Sequence, residues 1–327
     1  MPVRVNVACP RGSNALGFSN CIPFIINSIP NNDIRISHAD KQLNIKVDYH
    51  KTTENIIQDE NSFVWNLTQE TRKGCRFPSM HVLGDFCYLS VGMVLNADEK
   101  TAKGEFTKDE LISEYKDTTH SREYIEAKDI DKFVVKHVRY LEWNTDRCPY
   151  KLRRPTFREL YDCPKLMFNR LGELKVYLDD DTHFLHSDSM FSAVLWKDLH
   201  HVTNKSITSS ITKFCNNQHR YDLEDFSKQV NLFYLLGILN SKMAGVLLTD
   251  QRGGDYHIYP EHIRNIPIPI APNEMQNKIG NIAKDILNLK KSNPSADTTA
   301  LESEIDRLVY QLYGLTDEEI RIVEGRE

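Results

Sequence analysis

The sequence predicts an α+β protein in which a β-rich region of irregular strands is followed by a C-terminal antiparallel helical hairpin. Three observations predict it. Between His81 and Trp196 short strand-like apolar runs recur, broken by Gly84, Gly92 and Gly104. The segment Ile266-Pro267-Ile268-Pro269-Ile270-Ala271-Pro272 is extended, because each proline fixes its own φ and pushes the preceding residue out of the helical region. Beyond it, two apolar seams with steps of four and three flank a short breaker.

The elements follow in order. Ile22 to Ile29 and Ile34 to Ile36 read as strands in a polar, aperiodic stretch over residues 1–80 that carries no motif. Strands with turns run on through Tyr140, Leu166 to Phe168, Val176 to Leu178 and Phe191 to Trp196, and a helix follows with Phe233, Leu236 and Asn240 on one face. Residues 81–272 are expected as one region and 273–327 as the hairpin. Asn273 and Gln276 have the spacing of a helix cap, and Met275, Ile279, Ile282, Ile286 and Leu289 form the first seam. Ser292-Asn293-Pro294-Ser295 breaks the chain. Thr299 with Glu302 opens a second helix whose seam is Leu301, Ile305, Leu308 and Leu312. Gly314 ends it, and Thr316 with Glu319 caps a short last helix.

The 327 residues allow two or three compact units, and no run of about 18 uncharged apolar residues or secretory pattern is visible. A cytoplasmic protein without a membrane partner is expected. Seven scattered cysteines without a Cys-x-x-Cys pair point to reduced, structural thiols. The net charge of −5 argues against a chain that coats nucleic acid by charge alone. Between Lys132 and Lys175, however, eleven Lys and Arg face five Asp and Glu, a local positive island.

Chemistry-bearing patterns are sparse. Gly253-Gly254 is the only adjacent glycine pair and opens no Gly-x-Gly-x-x-Gly turn, and the only Asn-Pro, Asn293-Pro294, lies between the hairpin helices. A methyl-donor turn and a base-gripping Asn/Asp-Pro-Pro-aromatic loop are therefore not found. Asp85, Asp98 and Lys100 fit a magnesium-nuclease pattern only loosely, with turn residues as the plainer reading. Asp179 to Asp181 with His183, His186 and Asp188 read as a solvated turn between strands rather than a metal site. Ser187 and Ser189 lack a nucleophile frame.

Four stretches, in order, carry a resemblance. LGDFCYLSVGMVLNADEK (Leu83 to Lys100), RPTFRELYDCPKLMFNRLGELKVYLDDD (Arg154 to Asp181), LLGILNSKMAGVLL with YHIYPEHIRNIPIPIAP (Leu235 to Pro272), and LESEIDRLVYQLYGLTDEEIRIVEGRE at the C-terminus are involved. They resemble the specificity region of TaqI-like, type IIG restriction-modification adenine methyltransferases, related to type I specificity subunits. The resemblance implies a partly β-helix-like DNA target-recognition domain and a helical hairpin acting as spacer or dimerisation strut. It further implies duplex DNA and a methyltransferase domain or subunit as partners, with residues 1–80 matching the last strands of a catalytic domain. S-adenosylmethionine belongs to that missing domain, and no cofactor is expected in this chain. Under it, Arg153, Arg154, Arg158, Lys165, Lys175 and Arg252 are candidates for phosphate contacts, and Asn169 and Arg170 for base edges. A magnesium-dependent endonuclease and a non-DNA-binding assembly subunit are the alternatives.

Overall fold

The computed structural model describes residues 33–39, 45–52, 58–59, 62–63, 80–215, 218–252 and 255–325. The chain divides into two compact units, Met1–Arg76 and Phe77–Glu327. In the first, strands β1 (Asp33–Ala39) and β2 (Ile45–Thr52) pair antiparallel with a register shift between His38 and Ala39. Ile34 to Ile36 lie in β1 as read; Ile22 to Ile29 lie outside the described residues.

The second unit is a mixed α+β fold with a C-terminal helical region. Its strands longer than two residues are β3 (Cys87–Val91), β4 (Val94–Ala97), β5 (His120–Ile125), β6 (Arg139–Glu142), β7 (Leu152–Arg154), β8 (Lys165–Asn169), β9 (Val176–Asp179) and β10 (Met190–Leu195). The central sheet has the order β9-β8-β10-β3, antiparallel throughout. All residues of β8, β9 and β10 are buried, which explains their continuous apolar runs in place of alternation. A second ladder joins β5 and β6, and β7 pairs with β4. The core fills the space around these ladders with Trp196, Tyr124 and Tyr161, all essentially inaccessible. Such rings carry the largest share of apolar burial per residue.

The helices are α1 (Lys205–Phe214), α2 (Arg220–Phe226), α3 (Leu232–Asn240), α4 (Lys242–Arg252), α5 (Pro260–Arg264), α6 (Asn273–Ser292), α7 (Thr299–Tyr313) and α8 (Asp317–Val323). Helix α3 is buried over nearly its whole length. Its last residue, Asn240, accepts the Val176 N–H at 3.1 Å and donates to the Val176 carbonyl at 2.8 Å, which satisfies the backbone of Val176 on edge strand β9. The proline segment is extended, and Pro267–Ile268 pairs antiparallel with His81–Val82. No single helix among the described residues is long and apolar enough to cross a membrane.

Three expectations about the C-terminal helices change. Thr298, not Thr299, is the N-cap of α7, and its Oγ1 donates to the Glu302 carboxylate. Pro272, not Asn273, is the N-cap of α6, and the Gln276 amide turns inward to donate to the carbonyls of Gln229 and Ala271. The buried face of α6 is Gln276, Ile279, Gly280, Ala283, Ile286 and Leu287, a wider stripe than a coiled-coil seam, while Leu289 is exposed. Part of that stripe rests on α3: a Cβ on Gly237 would come within 2.6 Å of the Ile279 side chain. Helix α7 meets α6 through Lys290–Glu302 and Lys278–Glu304 ion pairs. The Thr316–Glu319 box caps α8, and Gly314, in the left-handed region at φ 65°, closes α7.

Candidate nucleic-acid interface

The sheet decides which basic residues meet. Asn169 at the end of β8 pairs with Met190 at the start of β10, and Val91 at the end of β3 pairs with Phe191. Phe168 pairs with Val176, so the turn after β8 lies at the same end. This edge forms a rim built from three turns and from the chain following α4.

Arg154, Arg170 and Arg252 stand along the rim, each held by a backbone carbonyl. Arg154 Nη2 donates to Gly92 O at 2.7 Å, Arg170 Nη1 to Asp188 O at 2.6 Å, and Arg252 Nη1 to Gly172 O at 2.8 Å. The three turns are themselves tied together: Met93 N donates to His186 O, Asp188 N to Met93 O, and Ile258 N to Arg170 O. A guanidinium has five N–H donors in a rigid fork, so one carbonyl leaves most of them unused, although the Nε of Arg252 is buried. None of the three makes an ion pair among the described residues. Lys175 joins the same end, with Nζ 3.6 Å from Asp131. Arg153 is exposed on β7, with no ion pair or hydrogen bond from its side chain among the described residues. Glu173, Asp188 and Asp255 are exposed on the same turns, so the rim alternates in sign.

Two candidates are corrected. Lys165 has no exposed surface: its Nζ sits 2.5 Å from Asp179 Oδ2 and 2.7 Å from the Tyr161 carbonyl, at the end of β8 away from the rim. It has no route to a phosphate. Asn169 is buried and its amide is fully used, donating to Leu171 O and Glu173 O and accepting from Lys175 N. It clamps the turn and reads no base. Arg158 is exposed but paired with Asp162 at 2.6 Å beside the start of β8, also away from the rim.

The positive island dissolves in three dimensions. Seven of its eleven cations pair with carboxylates: Lys136 and Lys175 with Asp131, Arg139 with Glu126 and Asp129, Arg147 with Glu110 and Glu142, Lys151 with Glu105, Arg158 with Asp162, and Lys165 with Asp179. Most of those acids lie outside the Lys132–Lys175 window, where a count along the chain does not reach.

The acidic stretch Asp179–Asp181 is a turn, but not wholly a solvated one. Asp179 is buried and accepts the N–H groups of Thr182, His183 and Phe184. His186 is also buried, between Ser192 Oγ and the Ser187 carbonyl, and burial followed by the nearby Lys165 charge pushes its pKa down to about 3. Asp98 accepts the N–H groups of Lys100 and Thr101, and Asp85 that of Val82. Both carboxylates thus organise their own turns, which is the plainer reading given to them. Gly253-Gly254 lies outside the described residues.

Residues 256–262, which the charge count passed over, complete the rim. Leu171 forms an isolated bridge with His257, and Gly172 N donates to Tyr256 O at 3.3 Å. The signal for them was present as Tyr256, His257, Tyr259 and His262 clustered around Pro260. No known family model matches the chain, and no curated protein matches it in sequence.

Proposed function

We propose that Phe77–Glu327 is the DNA target-recognition module of a restriction-modification system. It directs an adenine methyltransferase domain or subunit that itself binds S-adenosylmethionine. The observation that carries this reading is the gathering of Arg154, Arg170 and Arg252 at one end of the sheet, with Arg153 and Lys175 beside them. Guanidinium groups held by carbonyls, rather than neutralised by carboxylates, suit phosphate oxygens and guanine edges. The four stretches resembling specificity regions supply the rest.

In this reading the strands around the rim form the partly β-helix-like recognition surface. Helices α6 and α7 form the antiparallel hairpin that spaces or joins subunits. Leu289 and Ile322, both exposed on the C-terminal helices, offer apolar surface to the methyltransferase or to a second copy.

Fluorescence anisotropy of the full chain with labelled random-sequence duplex at low salt tests the reading. Binding that weakens at least several-fold in the Arg154→Ala, Arg252→Ala double variant is expected. Absence of binding, with and without a methyltransferase partner, overturns it in favour of an assembly subunit.

A further inference from the structure

Exposed aromatic rings scattered singly over a surface need no explanation. Residues 256–262 are different, because Tyr256 (52% exposed), Tyr259 (37%) and the half-exposed His257 fall within four positions of one loop, and Leu171 (52%) lies across from them. The rings are ordered among themselves. His257 and Tyr259 are stacked with centroids 6.0 Å apart and planes 21° apart, and His262 meets Tyr259 edge-on at 5.3 Å.

The loop is also rigidly mounted. Its backbone is tied to the β8–β9 turn by Ile258 N to Arg170 O at 2.9 Å and Gly172 N to Tyr256 O at 3.3 Å. Pro260 starts α5, and Tyr259 N donates to His262 Nδ1 at 3.3 Å, which leaves the ring proton of neutral His262 on Nε2. Aromatic side chains mounted on a fixed backbone, with the His257 ring further held by Asp255 at 3.3 Å, lose little entropy on meeting a flat partner. Arg170 and Arg252 flank them through the same turn.

We infer that the Tyr256–His262 loop is a stacking platform for an unpaired DNA base, with Arg252 on its flank taking the adjoining phosphate. Every base has a π-face, so a ring platform beside guanidinium groups holds an unstacked nucleotide without reading its identity. The inference rests on the DNA-recognition reading and adds to it a preference for locally opened duplex. A regularly stacked duplex presents no base face to the platform; an opened one does.

The test compares a labelled duplex with the same duplex carrying a short central bubble of unpaired thymines, at constant salt, using the full chain. Tighter binding of the bubble by roughly tenfold is expected, the scale of one stacked base. Tyr259→Ala should bring the two affinities together, whereas Tyr259→Trp should keep the preference and show tryptophan quenching on the bubble alone. A melting curve for each variant checks that it folds. Equal affinity of the wild type for both DNAs, or a bubble preference that survives Tyr259→Ala in a folded protein, overturns the platform and leaves duplex recognition standing. Failure to bind either DNA removes both.

Discussion

Lys165 and Asp179 face each other across the first pair of residues of the β8–β9 hairpin, Nζ to Oδ2 at 2.5 Å, with both side chains inaccessible. Asp179 also accepts three backbone N–H groups, and Lys165 donates to the Tyr161 carbonyl. A buried pair of this kind is costly to break, because removing one partner leaves the other charged in a low-dielectric interior. Lys165→Met is expected to destabilise the unit by about 3 kcal/mol or more. Adding Asp179→Asn should recover part of the loss, since the amide oxygen still accepts N–H groups. Chemical denaturation of the two variants checks this, and non-additivity is the signature sought.

The pair also shows what was legible along the chain and what was not. Leu166–Phe168 and Val176–Leu178 are apolar runs of equal length, so antiparallel pairing alone sets the Lys before the first against the Asp after the second. That register was readable; the burial of both ends was not, since it depends on β10 and on the segment around Tyr161. Thr316–Glu319 and Gly314 were readable because caps are local, whereas at α6 and α7 the N-cap falls one residue before the one read, at Pro272 and Thr298. The rim was not, because Arg154, Arg170 and Arg252 meet only through strand ends far apart in sequence.

Acid should unfold the protein through His186. Its pKa falls from 6.5 to about 3 on folding because burial, and then the Lys165 charge, disfavour the imidazolium. The unfolded chain therefore binds more protons between those values, and stability falls as pH drops below 6.5, by about 1.4 kcal/mol per unit. His262, also depressed first by burial, acts in the same direction. Burial raises Glu126, but hydrogen bonds from Lys108 and Tyr124 and the Lys108 and Arg139 charges hold it at about 2, so its contribution is lost only below pH 4.5. Between pH 6.5 and 4.5, His186→Gln should flatten the dependence of the melting temperature on pH, though from a lower starting value.

The helix seam makes a sharper prediction than its spacing did. Ile279 is inaccessible and packs toward Gly237 of α3, while Ile282 is only partly buried. Ile279→Asp should cost several kcal/mol by placing an unpaired charge between α3 and α6, on the order of 3 to 5. Ile282→Asp should cost markedly less. Equal shifts in the denaturation midpoint would mean that α6 buries a different face.

Gly172 holds the rim turn. Its φ of 77° suits glycine, and a Cβ there would lie 3.2 Å from the Tyr256 hydroxyl. Gly172→Ala is expected to cost about 1 to 2 kcal/mol. Because Arg252 donates to the Gly172 carbonyl, the same change should loosen Arg252 and weaken DNA binding beyond the stability loss. Binding measured well below the melting temperature separates the two effects.

The salt dependence of DNA binding tests the rim as an electrostatic object. An island of eleven uncompensated cations would release many counterions, with a log-log slope near −0.9 for each phosphate neutralised. Seven of those cations, Lys175 among them, are already paired, and the rim offers Arg153, Arg154, Arg170 and Arg252 alternating with Glu173, Asp188 and Asp255. The slope should accordingly be shallow, about −2 to −4. Arg153→Ala with Arg154→Ala should reduce it by up to about two units and weaken all duplexes alike, because phosphate contacts carry no base information. Arg170 lies between the β8 and β10 turns, where its free N–H donors suit a guanine edge, so Arg170→Ala should cost roughly 1 to 3 kcal/mol on the target sequence and little on random DNA. Lys165→Met and Arg158→Ala, both away from the rim, should leave the slope unchanged as long as the protein is folded. A steep slope that falls with Arg158→Ala would place the DNA on the opposite end of the sheet and sink the assignment of the rim.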